Sequence, residues 1–206
     1  MIAKRRPKSN SIVSPVRSAR KQMVESLRSP DPETLDNALA ALEKMGKRGM
    51  GERSFELAVQ VMPFYLRRIE KGFATDPACI IANIVARSGH PMAERTLKNW
   101  ALTLPGKNRF FYIRLNSYIG LGQIAEKTRN PQTKRRIAKF LMDSYERELG
   151  GVPVTNNREA IIQQLSLLED ERAMPIFEKG VQDENQEVRE TAKRALAKLQ
   201  KERGGS

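Results

Sequence analysis

Apolar and small residues recur along most of this chain at intervals of three and four, and the recurrence keeps one register. Counted from Val188, offsets 0, 4, 7, 8 and 11 fall on Val188, Ala192, Ala195, Leu196 and Leu199, which share one face of a helix. The same offsets from Asn157 give Ile161, Gln164, Leu165 and Leu168, and from Ile113 they give Ser117, Gly120, Leu121 and Ile124. From Pro77 they give Ile81, Ile84, Val85 and Ser88, and from Thr34 they give Ala38, Ala41, Leu42 and Met45. The starts at 34, 77, 113, 157 and 188 are 43, 36, 44 and 31 residues apart, a ragged version of the spacing of two-helix repeats. No stretch sustains the alternation of a strand, so the pattern predicts about ten helices and no sheet.

Helix breakers punctuate this pattern at Ser29-Pro30-Asp31-Pro32, Gly46 to Gly51, Asp76-Pro77, Gly89-His90-Pro91, Pro105-Gly106, Asn130-Pro131 and Gly150 to Pro153. In Asp31-Pro32, Asp76-Pro77 and Asn130-Pro131 the first residue is placed to cap free amides. Proline then occupies the first turn, where its missing N–H costs little. Residues 1–14 are polar and basic with no apolar period and read as a disordered arm. Residues 15–203 read as one helical domain and 204–206 as a flexible tail.

The C-terminal unit carries a more specific signature. Arg172-Ala173-Met174-Pro175-Ile176-Phe177 is followed by Asp183, then Val188-Arg189 and the small-residue stretch Thr191-Ala192-Lys193-Arg194-Ala195-Leu196. This resembles a HEAT-type helical repeat of the PBS-lyase kind, most strongly over residues 170–200. The resemblance implies an all-α, right-handed α-solenoid of about five irregular HEAT-like helix pairs, because one such unit cannot bury its apolar face alone. An irregular helical bundle is the alternative for residues 15–105. In HEAT-like proteins an Asp and an Arg bond between adjacent repeats; Asp183 and Arg189 are the pair with that spacing. Arg114 and Arg158 stand at the position equivalent to Arg189.

Charge adds a second signal. The net charge is +13, and it is uneven: residues 1–30 carry +7, residues 31–150 carry +7 and residues 151–206 carry −1. The HEAT-like end is therefore nearly neutral, and the field that attracts an anionic partner lies upstream. The candidate anion-binding or partner-binding cations form four groups, the last being Lys107 and Arg109. Lys4, Arg5, Arg6 and Lys8 lie in the arm, while Arg67, Arg68 and Lys71 lie at a helix C-terminus, where the dipole also favours them. Lys127, Arg129, Lys134, Arg135, Arg136 and Lys139 lie in the middle helices, where Glu126 is the sole acid between residues 95 and 142. Lys107 and Arg109 flank Phe110, Phe111 and Tyr112. In a helix those three rings point in different directions, so at least one belongs to the core.

Chemistry-bearing residues are few. Cys79 is the single cysteine and His90 the single histidine, so no intramolecular disulfide and no His/Cys metal site is expected. No cofactor and no catalytic residue is expected. Cys79 reads as a buried thiol, His90 as a surface or capping residue at a helix start, and Trp100 as half-buried packing. Gly46-Lys47-Arg48-Gly49-Met50-Gly51 lacks the Walker A spacing and reads as a linker. No apolar run reaches the ~18–20 residues of a membrane span.

These observations favour a non-enzymatic adaptor that binds an acidic protein or assembles a multi-protein complex. The alternatives are a DNA- or RNA-binding protein that uses the arm and the middle helices, and a HEAT-like DNA glycosylase. Single-cysteine usage suits a reducing, cytoplasmic setting, and the basic arm leaves a nuclear or organellar address open.

Overall fold

The computed structural model describes residues 15–47, 51–103, 110–149 and 155–204. Ten α-helices are found among the described residues: α1 (Pro15–Ser26), α2 (Pro32–Lys47), α3 (Gly51–Glu70), α4 (Asp76–Arg87), α5 (Ala93–Thr103), α6 (Phe111–Lys127), α7 (Pro131–Leu149), α8 (Thr155–Leu168), α9 (Met174–Val181) and α10 (Gln186–Gly204). A short 3-10 turn, Glu171–Ala173, leads into α9. There is no strand among the described residues. The 1–14 arm, Lys4, Arg5, Arg6 and Lys8 with it, lies outside the described residues, as do Lys107 and Arg109, residues 48–50 of the linker, and residues 205 and 206. Helix α10 runs on to Gly204.

The predicted breakers among the described residues fall at helix boundaries, Pro105-Gly106 and Gly150 to Pro153 lying outside those residues, and two of the three expected caps are made. The Asp31 carboxylate accepts from the Thr34 N–H at 2.8 Å, and Asn130 Oδ1 accepts from the Gln132 N–H at 2.9 Å. The third is absent. Asp76 is already helical, and Thr75 at the boundary makes no side-chain bond to the helix, which starts on Pro77 geometry alone.

The helices stack as five pairs. Each odd-numbered helix lies against the even-numbered one that follows, and α2, α4, α6, α8 and α10 also pack one on the next. This even row is the set of helices marked by the sequence register. Ala38, Leu42, Ile81, Ile84, Val85, Ile113, Ser117, Leu121, Asn157, Ile161, Leu165, Val188, Ala192, Ala195 and Leu199 are all buried. Small residues let the stack close up. A Cβ on Gly120 of α6 would lie 2.8 Å from the Ala86 Cβ of α4, and one on Gly180 would lie 2.8 Å from the Ala192 Cβ, both inside contact distance. The fold is an all-α helical-repeat stack.

Successive helices reverse direction, so the turns divide between two edges. The turns within pairs, such as α3–α4 and α9–α10, lie along one edge; the turns between pairs, such as α6–α7 and α8–α9, lie along the other. Function-bearing side chains therefore sort by edge.

Candidate partner-binding surface

Along the first edge runs a ladder of buried charges. Arg114, near the start of α6, puts Nε 3.1 Å from Oε1 of Glu148 at the end of α7. The same oxygen accepts from the Tyr118 hydroxyl at 2.9 Å and from Asn157 Nδ2 at 3.2 Å. One repeat further on, Arg158 of α8 donates from its terminal nitrogen to Asp183 Oδ1 at 2.8 Å, and its Nε lies 2.8 Å from Oδ2. That second contact is a charge contact, because Nε makes no aligned hydrogen bond. The Arg158 and Asp183 side chains are 2% and 1% exposed, so the pair is sealed from solvent. The Tyr145 hydroxyl also reaches Asp183 Oδ2 at 3.4 Å.

Asp183 and Arg189 do meet, but not through the carboxylate. Arg189 donates to the carbonyl oxygens of Asp183 and Glu184, each at 2.8 Å. The carboxylate belongs to Arg158 of the preceding repeat. Each ladder arginine thus reaches forward to an acid of the next repeat, while Arg189, on the last even helix, folds back onto its own turn. The rungs link residues 34 and 25 positions apart, too distant for sequence spacing to pair them. The equivalent positions of α2 and α4 hold Leu35 and Ala78.

The residues with chemical potential are absorbed by structure. His90 stacks on Phe55, with ring centroids 3.9 Å apart, and its Nδ1 accepts from the Met92 N–H at 3.1 Å; it is a capping residue. Burial pushes the Cys79 thiol up to about 11, with nearby Asp76 adding to the effect. It is therefore a thiol rather than a thiolate at neutral pH. Trp100 packs half-buried against the core. Of the three adjacent rings Phe110 is buried, Phe111 is intermediate and Tyr112 is exposed.

The large cation group lies on α7 and the α6–α7 turn, at the opposite edge. In sequence it is almost free of acid; in three dimensions it is not. Arg136 donates to Glu94 Oε2 of α5 at 2.9 Å, and Lys98 holds the other oxygen of that carboxylate at 2.7 Å. Burial would raise the Glu94 pKa, yet the bonds from Arg136 and Lys98 bring it below the usual range. Lys139 pairs with Asp143 one turn along. Lys134 and Arg135 line an open cleft with Glu169, Asp170, Glu171 and Arg172 from the α8–α9 turn. Lys127 and Arg129 are exposed at the helix end. The fold thus brings acids from α5 and the α8–α9 turn to a surface that the sequence presents as purely basic.

The smaller group behaves differently. Arg68, in the last turn of α3, lies with its guanidinium 5.6 Å from the centre of the Phe64 ring and 4.5 Å from that of Phe73. Arg28, just beyond α1, covers Phe64 at 5.8 Å. Arg67 and Lys71 are exposed beside them. None of these four cations forms an ion pair with a described residue. Phe73 is 51% exposed, so the open end of this row is a solvent-facing ring. Arg28, Phe64 and Phe73 were not singled out by sequence reasoning. The usable signal was Lys71-Gly72-Phe73, a glycine and then an apolar residue directly after a helix end.

Residues 173–202 match the HEAT repeat. A search of the curated proteins returned no match. Among solved structures, the stack is similar to a chain of the complex of CpcE and CpcF of phycocyanin lyase from Nostoc sp. PCC7120. The TM-score is 0.55 at 16% identity, over 98% of this chain and 71% of that one. At that identity the similarity is one of fold. It extends the HEAT-like architecture from the matched 173–202 unit across the described helices. No helix among the described residues is long and apolar enough to cross a membrane.

Proposed function

We propose that this helical-repeat protein is a non-catalytic adaptor that binds an acidic protein partner or assembles a complex. The observation that carries this reading is the separation of two kinds of charge. The buried ones, Arg114, Glu148, Arg158 and Asp183, are bonded to one another. The cations at the α3 end, Arg67 and Lys71 exposed and Arg68 half-buried, form no ion pair with a described residue. His90 and Cys79 have structural roles, which leaves no activated nucleophile or base among them. The similar solved structure is itself described as a complex of two proteins, which fits a partner-binding stack.

Affinity capture with the full-length protein, with and without nuclease, tests the reading. The expected outcome is acidic proteins that remain bound after nuclease and elute with salt. Partners that vanish on nuclease treatment would replace the adaptor with a nucleic-acid-binding protein. In that case, engagement of six to eight cations would give log affinity for duplex DNA a slope of roughly −5 to −7 against log salt.

A further inference from the structure

The end of α3 is built more tightly than a set of cations complementing a helix dipole. Gly72 sits at φ +90°, the left-handed region that glycine enters freely. From there the Gly72 N–H bonds to the Ile69 carbonyl at 2.9 Å and the Phe73 N–H to the Arg68 carbonyl at 3.1 Å. These two bonds define a Schellman motif. Its usual apolar clasp joins the residues in the positions of Phe73 and Arg68, and here it joins a ring to a guanidinium. On the other side the Tyr65 hydroxyl donates to the Leu27 carbonyl, which fixes the end of α1 and brings Arg28 onto Phe64. The result is an alternating stack: Arg28, Phe64, Arg68, Phe73.

Arg68 thus lies over two rings, while its guanidinium makes no hydrogen bond to a described residue. A guanidinium held against two rings has already lost rotamer freedom that binding would otherwise remove, and its N–H groups form a fork that matches a carboxylate. Of the acids around this end, Asp31 caps α2 through Thr34, Asp76 sits in the first turn of α4, and Glu70 is exposed in the last turn of α3 between Arg68 and Lys71. Arg67 and Lys71 add positive field beside the fork, and Phe73 offers an exposed apolar face next to it.

Building on the adaptor reading, we infer that the Arg28–Phe64–Arg68–Phe73 stack is the docking site for an acidic segment of the partner. Arg68 takes a carboxylate in two parallel bonds, and Phe73 receives an adjacent apolar side chain. Charge complementarity and the unfilled fork together select this occupant.

Fluorescence anisotropy with the full-length protein and a labelled peptide of alternating Glu and Leu tests the site. The expected result is binding that is lost with the Gln-for-Glu peptide. Arg68→Lys should weaken binding about tenfold although the charge is kept, because an ammonium lacks the fork and the flat faces. Phe73→Ala should weaken it about fivefold, near the value of one exposed cation–ring contact. Lys134→Gln/Arg135→Gln, at the other edge, should leave it unchanged. Three results overturn the site: no binding by the wild-type protein, equal affinity of Arg68→Lys, or an equal loss from the two edges. Tighter binding of an oligo(U) RNA that depends on Arg68 assigns the stack to nucleic acid and also overturns it. Nuclease-resistant partners captured equally by wild-type and Arg68→Lys protein would sink this site while leaving the adaptor reading intact. Capture that depends on nucleic acid would remove the reading itself.

Discussion

Between α6 and α10 each repeat is tied to the next by a buried arginine and an acid, whereas the matching positions of α2 and α4 hold Leu35 and Ala78. The N-terminal joints use other means. Gly51 approaches the Ser88 carbonyl so closely that a Cβ would overlap it, Phe55 stacks on His90, and Tyr65 bonds across to Leu27. The difference concerns what each joint tolerates. A buried ion pair adds little net stability over apolar packing, because desolvation offsets the attraction, but it penalises a mispaired register heavily. The N-terminal joints, whose ion pairs Arg87–Glu43 and Arg20–Glu56 are exposed, carry no such penalty and rely on shape. The cation–ring stack, the proposed docking surface, belongs to this half.

Breaking a rung should have the largest effect. Asp183→Ala leaves the buried Arg158 with only the exposed Glu184 carboxylate, 3.3 Å from its terminal nitrogen, and is expected to cost about 3 kcal/mol in urea unfolding. The double change Arg158→Met/Asp183→Leu should recover most of that loss. A double variant as unstable as the single one would contradict the view that the pair serves register more than stability. Next comes the N-terminal joint: Gly51→Ala forces backbone apart at Ser88 and is expected to cost about 1–3 kcal/mol. Its effect should appear as faster hydrogen exchange in α3 and α4, with α8 and α10 unmoved. Equal loosening of both halves would show that the stack unfolds as one unit.

Smaller effects follow from the tyrosines. Burial raises the Tyr65 pKa to about 12 and that of Tyr145 to about 12, and it raises that of Tyr118 as well. The fold therefore holds the neutral phenol, whose unfolded pKa is about 10. The resulting stability is complete below about pH 10 and is lost as pH climbs towards the folded values. Unfolding free energy measured against pH should fall over that window. Tyr65→Phe should flatten part of the fall, and at neutral pH it should cost about 1 kcal/mol through the lost bond to Leu27. The smallest change expected is for Phe73→Ala, about 0.5 kcal/mol, even though that residue matters to the proposed docking. A much larger loss would make Phe73 a structural residue first.

The even row of helices was legible in the sequence because one face of each repeats a small-residue register, and a register is a local property. Caps at Asp31 and Asn130 were legible for the same reason. The ladder was only half legible. Arg114, Arg158 and Arg189 shared a position, but their acids come from other helices, and the nearest candidate, Asp183 for Arg189, proved to meet it through a carbonyl. Surface charge was the least legible. The group at 127–139 reads as free of acid until Glu94 and the 169–171 segment fold against it, whereas Arg68 reads as a dipole complement until Gly72 turns Phe73 back onto it.

The structural ladder at Arg158–Asp183 and the proposed docking surface at Arg68–Phe73 are separate parts of the molecule. Hydrogen exchange of the full-length protein with and without the Glu–Leu peptide tests that separation most directly. Slowed exchange is expected in the α3 end and the α3–α4 turn, with the Asp183–Arg189 segment unchanged. Protection at Asp183–Arg189 with none around Phe73 would contradict it.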